Sequence, residues 1–237
     1  IEHPVWRFML ACIMVLGLIY LLLGGLHAGI GGDEFRYINQ SEKVVKFYST
    51  FGADTTAYTR AGVDPQHFNG QLLDNAMYVI GKPLGLERNF KFRHSITATF
   101  SWIAILCTVF SALVLFNTRI AFLTSLIIFL CPIFIGNGFN NHRDMPLVTG
   151  IMMAILGLSL LRNTFPYLNK KYLLLILLGV FISFGQRIAG GIMAGFLLVL
   201  FSVIILLEQK QLSKLAGLDK SVLAWIGGLV IATSIGI

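Results

Sequence analysis

Apolar residues along this chain gather into runs of bilayer length, separated by short polar breaks. A helix needs about 20 apolar residues to cross a bilayer, with a working range of roughly 17–25. On that measure the pattern predicts spans over 8–30, 96–116, 120–136, 145–161, 172–186, 188–207 and 221–237. Arg187 divides a run that would otherwise extend from Tyr172 to Leu207, too long for one helix, so "SFGQRIAGG" predicts a tight turn between two spans. Phe8–Gly32 exceeds a signal-peptide core and has no convincing small-residue cleavage site, so it is read as a retained first span. The seventh run reaches the last residue without a polar flank, which predicts that the protein continues beyond it.

The segment 31–95 follows a different pattern. "EFRYINQSEKVVKFYSTF" sets Phe35, Ile38, Val45 and Tyr48 at roughly helical spacing with charges between them. "GQLLDNAMYVIG" does the same with Leu72, Leu73, Ala76, Met77 and Ile80. Both predict amphipathic helices lying at the membrane surface. Between them, "GADTTAYTRAGVDPQHFNG" is rich in turn residues and reads as a loop. The expected fold is therefore an all-α polytopic membrane protein. It has about seven transmembrane helices and a large first extracytoplasmic loop bearing surface helices, in a single module over 1–237.

Composition agrees. The 237 residues are 56% hydrophobic and 12% charged, about half the charge of an ordinary soluble domain, and mean hydropathy is +0.79. The net charge of +7 reports topology rather than nucleic-acid binding. Arg7, Arg119, Arg162, Lys170, Lys171, Lys210, Lys214 and Lys220 alternate to one side, and the short connections opposite carry Arg143 and Arg187. That bias makes the first side cytoplasmic and the 31–95 loop extracytoplasmic. Cys12, Cys107 and Cys131 all fall within apolar runs, at spacings that fit neither a disulfide framework nor a metal site. They read as small core hydrophobes.

Charges then gather on the outer face. Asp33 and Glu34 follow the first span, Arg93 and His94 precede the second, His142, Arg143 and Asp144 precede the fourth, and Arg187 lies between the fifth and sixth. Ionisable groups at membrane depth are costly and usually face a protein interior or a watery cavity. Acids opposed to cations on one face suit a phosphorylated substrate. Each group also has a plainer reading. Asp33 and Glu34 suit the start of a surface helix. His142 and Arg143 can anchor at the interface, and Asp144 can cap the fourth span with Pro146 in its first turn. Arg93 can snorkel. Arg187 has the weakest such alternative, because a turn between two spans needs no cation.

The acid pair opening a large first outer loop, the helical segments along it, "FRHS" leading into the second span and "NGFNNHRDMPL" between the third and fourth resemble a GT-C glycosyltransferase. The likeness is to the branch containing protein O-mannosyltransferases and lipid A aminoarabinose transferases, and it covers nearly the whole chain. "NHRDMP" resembles the Asn-Pro-Lys-Asp-Ile-Pro type of motif, with His142 where a proline is common, and "GQRIAGG" resembles an Ile-Arg-Ile-Gly-Gly segment. The further spans or C-terminal outer domain of such enzymes have no counterpart here.

This resemblance implies transfer of a sugar from a polyprenyl-phosphate carrier to an acceptor hydroxyl, with inversion. The acceptor would be a glycan, lipid or protein; membrane lipids are the other partners, and nucleic acid is not one. It implies a general base at Asp33 and a supporting acid at Glu34. Substrate contacts fall to Arg187, Asp144, His142, Arg143, Arg93 and His94, with Arg187 first for the leaving phosphate. Asp144 would orient the acceptor, position a cation or hold Arg187. No cofactor is expected. A divalent cation is compatible with Asp33, Glu34, His142 and Asp144, but the reading here is of a site without metal. The short loops and bacterial-type motifs point to a bacterial cytoplasmic membrane with the site on its outer side. The rival readings are a transporter or flippase for a lipid-linked or phosphorylated substrate, which calls for mid-membrane helix breaks and a second similar half, and a scaffold that docks through the outer loop.

Overall fold

The computed structural model describes residues 4–58, 70–165 and 167–208, so the expected seventh span lies outside the described residues. Among these, the regular structure is helical: α1 (Pro4–His27), α2 (Glu34–Ser49), α3 (Leu72–Gly81), a 3₁₀ turn (Lys82–Leu84), α4 (Phe90–Leu115), α5 (Thr118–Phe129), α6 (Pro132–Asn137), α7 (Asp144–Thr164), α8 (Lys170–Gln186) and α9 (Ile188–Glu208). Three helices, α1, α4 and α7, are long and apolar enough to cross a membrane, while Thr118–Phe129 and Ile188–Leu200 are shorter apolar helices. The two amphipathic helices of the first loop form as their periodicity predicts, as α2 and α3.

Local chemistry sets several boundaries. Asn89, Asn117 and Asn169 precede α4, α5 and α8, and the side chain of each accepts a hydrogen bond from a backbone N–H of the first turn. Such capping satisfies donors that the helix itself leaves unpaired. The expected third span, 120–136, is not one helix. Pro132 has no N–H to donate and pushes the preceding residue out of the α region. Cys131 accordingly adopts φ −86°, ψ 102°, and a new helix starts with Pro132 in its first turn.

The second span also departs from expectation. It starts at Phe90 rather than 96, which brings "FRHS" inside the helix. Charges there end an apolar count, but the buried Arg93 and His94 both find acidic partners, so the helix continues through them.

α4 and α7 form the middle of the bundle. α4 packs against α1, α5 and α7, and α7 against α4, α8 and α9. Met14, Leu21, Ala98, Ile105, Val109, Ala112, Ala121 and Ile135 make one core between α1, α4, α5 and α6. A smaller cluster of Leu158, Leu161 and Ile176 joins α7 to α8. At the centre of that pair the backbones meet. A Cβ on Gly150 or on Gly179 would run into the other's carbonyl oxygen, and one on Gly150 would also lie 2.7 Å from the Ser183 N. Small residues permit such approach between helices in lipid. Phe8, Leu16, Tyr20, Phe181 and Phe196 point outward, as a lipid-facing surface requires.

Candidate active site

The end of α1, the starts of α2, α3, α4 and α7, and the end of α8 meet at one end of the bundle, and the charged residues singled out in the sequence lie there. Asp33 and Glu34 open α2 and are chain neighbours, yet they part company. Glu34 is 3% exposed. Its Oε1 accepts a 2.6 Å hydrogen bond from the Gly31 N–H, and its Oε2 lies 2.9 Å from His94 Nε2. His142 Nε2 stands 3.5 Å from the same Oε2, at ion-pair distance. Burial alone would raise this carboxyl. The two imidazoles and the Gly31 N–H outweigh burial and hold it at about 2, against an ordinary 4.5.

Asp33 turns the other way. Its side chain is 59% exposed and 3.5 Å from Arg36, itself exposed. Asp33 occupies the N-cap position of α2 but makes no side-chain cap hydrogen bond, so helix capping does not account for its carboxylate.

His142 and Arg143 are buried rather than lying at an interface. The His142 and His94 rings stack with centroids 5.6 Å apart, and His142 Nδ1 is 2.6 Å from the Thr97 hydroxyl. The Arg143 guanidinium lies 3.9 Å above the ring of Tyr37. Burial raises the Tyr37 hydroxyl; the Arg143 charge opposes this, Asp33 and Asp74 reinforce it, and Arg187 opposes it. Tyr37 thus feels charges from α2, α3, the α6–α7 loop and the end of α8 at once.

Arg93 does not snorkel. It is fully buried, and its Nη2 donates to Asp74 Oδ1 of α3, which is equally buried. Burial pushes the Asp74 carboxyl up, and Arg93 pulls against that. Asp144 is the first residue of α7 rather than its cap. Asn141 performs the capping: its Oδ1 accepts from the Arg143 and Asp144 N–H groups at 3.2 and 2.9 Å. Asp144 is left free to accept from Asn141 Nδ2 at 2.9 Å and to pair with Arg187 Nη2 at 2.9 Å. That ion pair is about half exposed, at 42% and 47% of the two side chains.

Four further residues join this cluster that the sequence reading does not single out: Asp74, Gln186, Thr97 and Tyr37. Gln186 is fully buried. Its Oε1 accepts from the Leu73 N–H at 3.1 Å and its Nε2 donates to the His142 carbonyl at 2.8 Å, which ties α3, the α6–α7 loop and α8 together. A polar side chain at the end of the apolar run 172–186 was the available signal. Asp74, on the buried face of α3, was another. Among the described residues the atoms with metal-ligand spacing belong to Glu34, His94 and His142, all within 4.8 Å of one another. Asp33 and Asp144, expected as ligands of any cation, stand outside that group, and His94 takes their place.

The model of the dolichyl-phosphate-mannose-protein mannosyltransferase family matches residues 5–236. No curated protein and no solved structure matches the chain.

Proposed function

This chain belongs to the dolichyl-phosphate-mannose-protein mannosyltransferase family, and from that premise we propose that it moves a sugar from a polyprenyl-phosphate donor to an acceptor hydroxyl at the outer face of a membrane, inverting the anomeric carbon. Family membership carries glycosyl transfer from a polyprenyl-phosphate sugar in general. The acceptor, the face and the stereochemistry are our reading.

The divergence of the two neighbouring acids carries it. Glu34 is buried and fully engaged, whereas Asp33 is exposed and caps nothing. In this reading Asp33 is the general base. The acceptor oxygen attacks the anomeric carbon and its proton passes to the Asp33 carboxylate. The bond from that carbon to the phosphate oxygen breaks, and the electron pair leaves with the lipid phosphate. Arg187, half exposed and held by Asp144, stabilises the charge that develops there. Glu34 is a positioning residue that fixes the first turn of α2. Arg93 holds α3 against α4 through Asp74 and contacts no substrate. The membrane is a bacterial cytoplasmic membrane, with residues 31–95 outside the cytoplasm.

The test is incubation of the purified protein with a panel of polyprenyl-phosphate sugars and hydroxyl acceptors, with product linkage read by NMR. Transfer with an inverted anomeric centre is expected. Failure with every donor, or retention of configuration, overturns the reading.

A further inference from the structure

The His142 ring stands between two oxygens, Thr97 Oγ1 at Nδ1 and Glu34 Oε2 at Nε2. The Thr97 hydroxyl has one proton and two neighbours that can take it, the Arg93 carbonyl at 3.1 Å and His142 Nδ1 at 2.6 Å. Given to the carbonyl, it leaves Thr97 Oγ1 to accept from His142 Nδ1–H. A neutral His142 then carries a bare lone pair on Nε2. That atom is buried without a hydrogen-bond partner and faces Glu34 Oε2 at 3.5 Å. A lone pair facing a carboxylate oxygen in a site 1–3% exposed is repulsive unless something positive lies between them. His94 Nε2 approaches the same oxygen at 2.9 Å.

We infer that Glu34, His94 and His142 form a binding site for a divalent cation of the zinc class, at the junction of α2, α4 and the α6–α7 loop. Two imidazole nitrogens and one carboxylate oxygen are a donor set for such a metal, whereas magnesium and calcium prefer oxygen ligands alone. The outer arrangement is also that of a metal site. Histidine ligands usually donate their second N–H to a neighbouring acceptor, which fixes tautomer and ring orientation, and Thr97 Oγ1, 2.6 Å from Nδ1, is placed to accept it from His142. The Gly31 N–H holds the free oxygen of Glu34 in the same way. Three protein ligands leave a fourth position for water. Bound there, the cation fastens the first turn of α2 to the bundle. This assignment is independent of the transferase reading.

The purified protein, stripped with a chelator and dialysed against zinc, is expected to retain one zinc per chain. With cobalt it should show the strong visible bands of four-coordinate Co²⁺, and X-ray absorption on the zinc form should show two imidazole nitrogens. Competition with a chromogenic chelator reads affinity. His94→Ala, His142→Ala and Glu34→Gln should each weaken zinc binding by about 100-fold or more, and Thr97→Val, which removes only the outer partner, by about 10–100-fold. Wild-type protein that retains no zinc, or that gives the pale spectrum of six-coordinate cobalt, overturns the site and leaves a proton between His142 and Glu34 instead. Variants that bind as wild type overturn it equally. If a ligand variant fails to fold, the wild-type stoichiometry and spectrum, with Thr97→Val, still decide.

Discussion

Removing the charge from each of the two neighbouring acids should produce opposite phenotypes. Asp33→Asn changes a side chain that is 59% exposed, makes no cap hydrogen bond and has an exposed partner 3.5 Å away. Exposed pairs of this kind contribute roughly 0–1 kcal/mol, and Asn serves the N-cap position about as well as Asp. The stability change should therefore stay below about 0.5 kcal/mol. Loss of a general base costs about 10²–10⁴-fold in rate, or about 2.7–5.4 kcal/mol of barrier at 1.36 kcal/mol per tenfold. Glu34→Gln is the reverse case. Its amide offers one acceptor oxygen where the carboxylate offers two, so either the Gly31 N–H or the His94 ring loses its acceptor in a buried site, at a cost of about 1–3 kcal/mol in stability. Turnover with a polyprenyl-phosphate sugar and thermal unfolding in detergent, measured on both variants, separate the two. An Asp33→Asn protein with wild-type turnover, or one destabilised as much as Glu34→Gln, refutes the division of roles.

Arg187→Ala should leave stability nearly intact, since its pair with Asp144 is half exposed, and should weaken donor binding and turnover. Arg187→Lys should recover only part, because a point charge replaces a planar fork, and unchanged kinetics in both would remove Arg187 from the site. Arg93→Met strands Asp74 as a buried charge and should cost about 3–5 kcal/mol, most of it recovered in Arg93→Met/Asp74→Leu; an additive double variant in a denaturation cycle would count against the pair. Gly179→Ala should destabilise by about 1–3 kcal/mol through overpacking, although Ala is the better helix former by about 1 kcal/mol. Gly136→Ala in α6, where a Cβ meets nothing within 4 Å, should not destabilise. A cysteine introduced at Thr56 should react with an impermeant reagent in intact cells while one at Lys171 is protected, and the opposite pattern inverts the topology.

Periodicity made α2 and α3 legible as helices but not their buried faces: Phe35, Tyr48 and Ile80 of the expected stripes are exposed, while Glu34, Gln40, Ser41 and Asp74 are buried. Hydropathy made α1, α4 and α7 legible to within a few residues. It misjudged the start of α4 because a window sum charges Arg93 and His94 in full and cannot see Asp74 and Glu34 neutralising them. It misjudged 120–136 because the average conceals what Pro132 does to one backbone donor. At the candidate site, sidedness alone gathered Glu34, His94 and His142 at one end. The partners that decide their roles were out of reach for a physical reason. Thr97 reaches His142 across 45 positions of sequence, and Gln186 reaches His142 and Leu73 across 44 and 113; no local pattern encodes such pairings. Asn141 was passed over because Asp144 is an equally good capping residue by type, and only the backbone geometry chooses between them.

The backbone contact between Gly150 and Gly179 restricts how this bundle can move. Packed helices slide past one another by small rearrangements of the side chains between them. Where two backbones touch, no compliant layer exists, and α7 and α8 are coupled like a single plate. A long isoprenoid tail entering from the bilayer needs a slot that widens and closes, and that slot cannot open along this seam. The turn at Arg187, the single residue that separates α8 from α9, is no looser, since a Cβ on Gly190 would lie 2.5 Å from the Ser183 carbonyl oxygen, so the give falls to joints such as the step at Leu130–Pro132.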